Sequence, residues 1–198
     1  MGHVGPVDKR VHHLPQSQAE RQLAARLRAN KGRMANLQCV ALAKLAVEDF
    51  RSVQCWRRGE PVLSKRFPLG TPIATFLDRD GGDSLLYDGG VGVGAPGNMT
   101  THAAVLIDYI EGADGAVDGI LVLDQHALLD GFRRMIYPVD ASAYGTATAT
   151  NYFTIHDETG TPLGATQDVN SASASFPKGQ TSTDALKKVT WDASASGR

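Results

Sequence analysis

Three residues in this chain have side chains that together could carry acyl transfer: Cys39, His102 and Asp124. Cys39 falls in the first turn of a helix that the sequence predicts from about Asn36. The free amides and dipole at a helix head favour an anion, so a thiolate is stabilised there. A thiolate is the form that attacks a carbonyl, and the same amides can hold the resulting oxyanion. The competing reading is a buried structural cysteine at the head of a core stripe, since free Cys is among the most buried residue types.

His102 follows the loop GAPGNMTT and opens the apolar run HAAVLIDYI. An imidazole at a strand mouth can reach a partner on another element and serve as a base near neutral pH. Asp124 closes the run ILVLD. If the two runs form an antiparallel pair in an even-sum register, His102 and Asp124 share a face. A carboxylate there would orient the imidazole and stabilise its charged form. Gln125 would point to the opposite face, while His126 would share the face of Asp124 and compete with it. Taken singly, His102 also reads as a loop residue and Asp124 as a turn residue.

The elements that must position these groups follow from periodicity. Residues 1–16 read as a loose arm. Residues 17–31 read as a helix, with Ser17 as cap, Glu20 three positions on, and Gly32 as stop. A second helix is predicted from Asn36 to about Phe50, with Cys39, Leu42, Ala43, Ala46 and Phe50 on one stripe. Thr71–Leu77, His102–Ile110, Gly119–Asp124, Phe132–Pro138 and Asn151–His156 read as strands, the second and third joined as a hairpin through EGADGAVD. Helices first and strands after them indicate an α+β domain over residues 17–158. From 159 to 198 the composition turns to Ser, Thr, Ala, Gly and Asp, which reads as a mobile tail or as a strand laid over the domain surface, with Phe176 and Trp191 as anchors.

Length and composition bound the function. The 198 residues suit one domain, and 42 % apolar with 21 % charged residues is a globular balance. A net charge of -1 lacks the basic excess of a general nucleic-acid grip. No apolar run reaches the roughly 20 residues that span a bilayer. The polar, His-containing stretch from Met1 to Gln18 does not read as a signal peptide, so synthesis in the cytoplasm without general export is expected. Two cysteines are too few for a disulfide scaffold; a Cys39–Cys55 bridge would cap the thiol.

No cofactor or metal is expected: CxxC and HExxH are missing, and His12 and His13 are adjacent rather than at ligand spacing. Gly92, Gly94 and Gly97 match GxGxxG, but Pro96 interrupts the motif and a strand follows it, so a flexible loop is the better reading. Asp78, Asp80 and Asp83 resemble a calcium loop only loosely. Trp56 reads as a core-edge side chain, with a cleft wall beside Arg57 and Arg58 as the alternative.

The segments NLQCVALAKL, GTPIATFLDRDG, THAAVLIDYI and GILVLDQH resemble, in order and spacing, the bacterial amidase effectors of the type VI secretion system. These are papain-like cysteine peptidases akin to the NlpC and CHAP domains. The resemblance covers roughly residues 35–156, and the step before His102 is longer here than the family's usual Gly-Asn-His. It implies a papain-like fold with N-terminal helices packed on an antiparallel sheet, and Cys39, His102 and Asp124 in the catalytic places. It further implies hydrolysis of an amide bond in peptidoglycan stem peptides or cross-links, injection into a neighbour's periplasm, and an immunity protein as partner. A non-catalytic cell-wall binding module on the same fold and a cysteine acyltransferase are the competing functions.

Overall fold

In the computed structural model, residues 15–30, 38–77, 84–87, 101–125, 131–140 and 145–164 are described. Helix α1 spans Gln18–Ala29, two residues short of the prediction at its C-terminal end. Ser17 is extended, and its hydroxyl accepts the Glu20 amide at 3.0 Å, as its place before the helix requires. The Glu20 carboxylate does not complete a capping box. It reaches Arg134 instead, 114 residues along the chain.

Helix α2 spans Cys39–Val47. It begins three residues later than predicted, because Gln38 is extended (φ -87°, ψ 156°), and Cys39 is therefore its first helical residue. It also ends early: Glu48 adopts a left-handed conformation with φ 55°, which breaks the helical path before Phe50. Phe50 thus leaves the predicted stripe and stands half-exposed, whereas Leu42, Ala43 and Ala46 are fully buried. Arg26 ties the two helices together by donating to the Ala46 carbonyl at 2.9 Å.

Six strands follow: β1 Arg57–Pro61, β2 Pro72–Thr75, β3 Ala103–Glu111, β4 Val117–Asp124, β5 Arg133–Pro138 and β6 Tyr152–His156. They form one antiparallel sheet in the order β1-β6-β2-β3-β4-β5. This is the α+β arrangement that the element order predicts. β1 was not anticipated, since RRGEP carries charges, Gly and Pro; it lies at the sheet edge, where such residues are tolerated. After β6 the chain turns at Asp157–Gly160 and comes back, with Leu163 N donating to Ile155 O.

Alternation along β3 and β4 divides the core. Val105, Ile107, Leu121 and Leu123 pack with Leu23, Leu27, Leu42, Leu45 and Ala46 of the helices. Ala104, Leu106, Ile120 and Val122 pack with Ile73, Tyr137 and Tyr152. Each fully buried Leu or Ile contributes about 1.5–3 kcal/mol, so α2 is held to the sheet firmly. A third cluster joins Ala43, Trp56, Ala74, Phe76, Tyr87, Ala103 and Ile155, with Cys39 and Leu163 packed against it. Trp56 is thereby a core side chain, 2 % exposed.

Asn36, Gly32, His12, His13, Asp78, Asp80, Asp83, Gly92, Gly94, Gly97, His126, Phe176 and Trp191 lie outside the described residues. Among the described residues no helix is long and apolar enough to cross a membrane. None of them form a cluster of His, Cys, Asp or Glu fit for a metal ion.

Candidate active site

The mouth of β3 is where helix and sheet chemistry meet. Pairing of β2 with β3 places Ala74 opposite Ala103, and Thr75 extends that contact by one step. Thr75 N donates to His102 O at 2.9 Å, and His102 N donates to Thr75 Oγ1 at 2.8 Å. Both backbone polar groups of His102 are fixed by one residue, so the imidazole leaves the backbone in a set direction. Thr75 was not singled out in the sequence; a β-branched residue with a hydroxyl at a strand end is too common to signal the role.

The β3–β4 register pairs Ala104 with Asp124, which is the even-sum register anticipated above. His102 and Asp124 therefore share a face as diagonal neighbours, and His102 Nε2 stands 2.5 Å from Asp124 Oδ1. Both side chains are almost wholly buried, at 4 % and 1 % exposure. Tyr137 meets the imidazole edge-on at 6.4 Å and stacks on Tyr152 at 5.0 Å, closing that side of the ring to water. Arg133, on β5, donates from Nε and Nη2 to Asp124 Oδ2 at 3.0 and 2.9 Å.

Cys39 stands at the other edge of the ring. It is half-buried and, like Cys55, carries a free thiol; no bridge joins them. With Nε2 engaged by Asp124, Nδ1 is the nitrogen left for the thiol, and it makes no hydrogen bond of full geometry. Gln38 caps α2 without a side-chain hydrogen bond to the helix. The first amides of a helix have no partner within it, so those beside Cys39 are of the kind that hold an oxyanion.

The electrostatics follow from burial set against partners. Burial opposes ionisation of the Cys39 thiol. Contact with the polar edge of His102 and its charge, together with the Ala103 amide and the Tyr87 hydroxyl, overcome it and hold the thiol below its ordinary pKa. Burial likewise opposes a charged imidazole, but Asp124 and Cys39 raise the His102 pKa well above its usual range. Asp124 is buried as well, and His102 and Arg133 keep its carboxyl below the usual carboxylate value. The three shifts agree in direction: a charged imidazole between thiol and carboxyl favours the ionised form of each, and they favour its charge in return.

Tyr87 is a second group the sequence reading missed. It lies just after the exposed Leu85 and Leu86, is 3 % exposed, and packs edge-on to Trp56 at 5.1 Å and Phe76 at 5.9 Å. Burial, then the neighbouring Cys39, push its phenol pKa well up, so it stays protonated.

Fold and side chains define an α+β domain with a thiol at a helix head, an imidazole at a strand head and a carboxylate one strand on. The family model for domesticated amidase effector 2 matches residues 13–155, a span that holds all three groups, and the chain belongs to that family. The resemblance read from the sequence motifs pointed to amidase effectors too. A solved structure described as "Type 6 secretion amidase effector 2 (Tae2)" is similar at 22 % identity and a TM-score of 0.44, over 61 % of this chain and 81 % of that one. No curated protein matches the chain.

Proposed function

We propose that the chain is a cysteine amidase or endopeptidase that hydrolyses an amide bond in peptidoglycan stem peptides or cross-links. The reading rests on membership of an amidase effector family. The observation that carries it is the line from buried Asp124 and His102 to half-buried Cys39, in which the pKa shifts favour an ion pair between thiolate and imidazolium.

The chemistry follows from that ion pair. The Cys39 thiolate attacks the scissile carbonyl carbon, and the carbonyl oxygen takes up the electron pair against the amides at the head of α2. Imidazolium His102 gives its proton to the leaving amine as the C–N bond breaks. Neutral His102 then takes a proton from water, whose oxygen attacks the thioester and frees the acid product together with the thiolate. Asp124 holds the ring and balances its charge through both steps. As an effector, the enzyme would be injected into a competitor's periplasm, with an immunity protein guarding the producer.

The test is digestion of purified peptidoglycan fragments followed by mass spectrometry, with Cys39→Ala as control. The reading predicts new termini at one type of amide bond with the native protein and none with the variant. Unchanged fragments with the native protein would overturn the enzyme assignment. Equal cleavage by the variant would overturn the nucleophile.

A further inference from the structure

Asp124 divides its two oxygens between two partners. Oδ1 meets His102, while Oδ2 takes both N–H groups from Arg133, its direct cross-strand neighbour in the β4–β5 ladder. The burial of the pair is unequal: Asp124 is 1 % exposed, the Arg133 side chain 47 %. We infer that Arg133 is a positioning residue of the active site, which acts through Asp124 by fixing the carboxylate's rotation and keeping it charged, so that Oδ1 is always presented to His102. This rests on the role proposed above for Asp124.

Two physical points support it. An ion pair between exposed side chains contributes little, but here the carboxylate is buried and a missing partner would leave it uncompensated. The guanidinium is also half in water, so it keeps much of its hydration while lending its charge to the interior. Its planar fork gives direction as well as charge, which a lysine ammonium does not. The groups that face Asp124 are His102 from the head of β3, Arg133 and Tyr137 from β5, and Tyr152 from β6, with Cys39 of α2 beyond the imidazole. Among these described residues, Arg133 is the cation whose charge does not change during turnover.

Sequence reasoning passed over Arg133 because its signal is an unremarked RR doublet. Only the β4–β5 register shows that the first of the two arginines faces Asp124.

The experiment compares native enzyme, Arg133→Met, Arg133→Lys, Asp124→Asn and the Arg133→Met/Asp124→Asn double variant on peptidoglycan fragments. It measures kcat and KM across the pH range, with folding checked by circular dichroism. Arg133→Met should lose about tenfold in kcat with KM nearly unchanged. Its acid limb should move up by about half a pH unit or more, because Asp124 then protonates sooner. Arg133→Lys should recover part of both effects and carries the test if the Met variant does not fold. The double variant should be no slower than Asp124→Asn alone, since a residue that acts through Asp124 has nothing to act on without it.

Native kcat and an unchanged pH profile in Arg133→Met, beside a slow Asp124→Asn, would overturn the inference and leave the Asp124 role standing. An effect confined to KM would also overturn it, because Arg133 would then be a substrate contact. Full activity in Asp124→Asn would instead remove the role of Asp124, and the inference with it.

Discussion

Two adjacent arginines on β5 face opposite sides of the sheet, and each meets a buried carboxylate. Arg133 pairs with Asp124 on the His102 face, and Arg134 pairs with Glu20 of α1 on the helix face. The two carboxylates are equally hidden, at 1 % and 2 % side-chain exposure, yet their acidities move in opposite directions. Desolvation dominates at Glu20 and raises its pKa despite Arg134, with the charge of Asp108 adding to the rise. At Asp124 burial is outweighed by His102 and Arg133, and the pKa falls.

Geometry explains the contrast. Arg133 places two aligned N–H groups on one oxygen, and the imidazole takes the other. Arg134 makes one aligned bond to Glu20, from Nη2 at 3.1 Å, while its Nε lies 2.6 Å from Oε1 without alignment. Burial alone therefore does not decide the state of a carboxylate; the donors and charges set against it do. One pair anchors a helix to the sheet, while the other holds a carboxylate against the His102 ring.

The comparison can be broken most forcefully at the anchor. Arg134→Met leaves Glu20 buried without its cation and should cost about 3 kcal/mol of stability, read by urea unfolding, with native turnover per folded molecule. A large loss of kcat at full folding would show that the helix-side pair also serves catalysis. At the other pair the loss should fall on activity: Asp124→Asn should slow kcat about a hundredfold, because general acid–base work by His102 depends on its orientation. Glu20→Gln should stay within about twofold of native in the same assay, because this buried carboxylate meets Arg134 rather than Cys39, His102 or Asp124. Equal effects of these two variants would erase the distinction.

The smallest effect is a difference of slope. Glu20 has a raised folded pKa, so its contribution is fully present below the unfolded value of about 4.3 and falls as pH rises through the folded one. Asp124 has a depressed folded pKa, so its contribution is present above about 3.9 and is lost as pH falls through the folded value. Relative to native protein, Glu20→Gln should therefore gain stability as pH rises above about 4.3, whereas Asp124→Asn should lose it as pH rises towards about 3.9. Parallel slopes in urea titrations would contradict the opposite assignments.

How much of this the sequence showed depends on the range of the interaction. A helix beginning near Cys39 and the order of elements were legible, because they follow from spacing and periodicity over a few residues; the cap was not, since Gln38 rather than Asn36 precedes the helix. The facing of His102 and Asp124 was legible too, since their strands form a hairpin with a short connection and its two register shifts, at Leu106/Asp108 and Ile110/Glu111, cancel before the site. Arg133 and Tyr87 were not, because each reaches the site through a pairing or packing that local pattern does not encode. Glu20 shows the same limit from the other side: its local position suggested a capping box, and a partner on β5 took the carboxylate instead. β1 was hidden by edge-strand composition, and Phe50 was misplaced by the left-handed Glu48 that ends its helix.

The central claim is that Cys39 is held ionised by His102, and the pH dependence of its alkylation tests this most directly. With iodoacetamide and peptide mapping, the rate at Cys39 should inflect clearly below the value of about 8.5 for a free cysteine, and His102→Ala should move that inflection upward. An inflection at or above that value in the native protein, or one that His102→Ala leaves in place, would contradict the account.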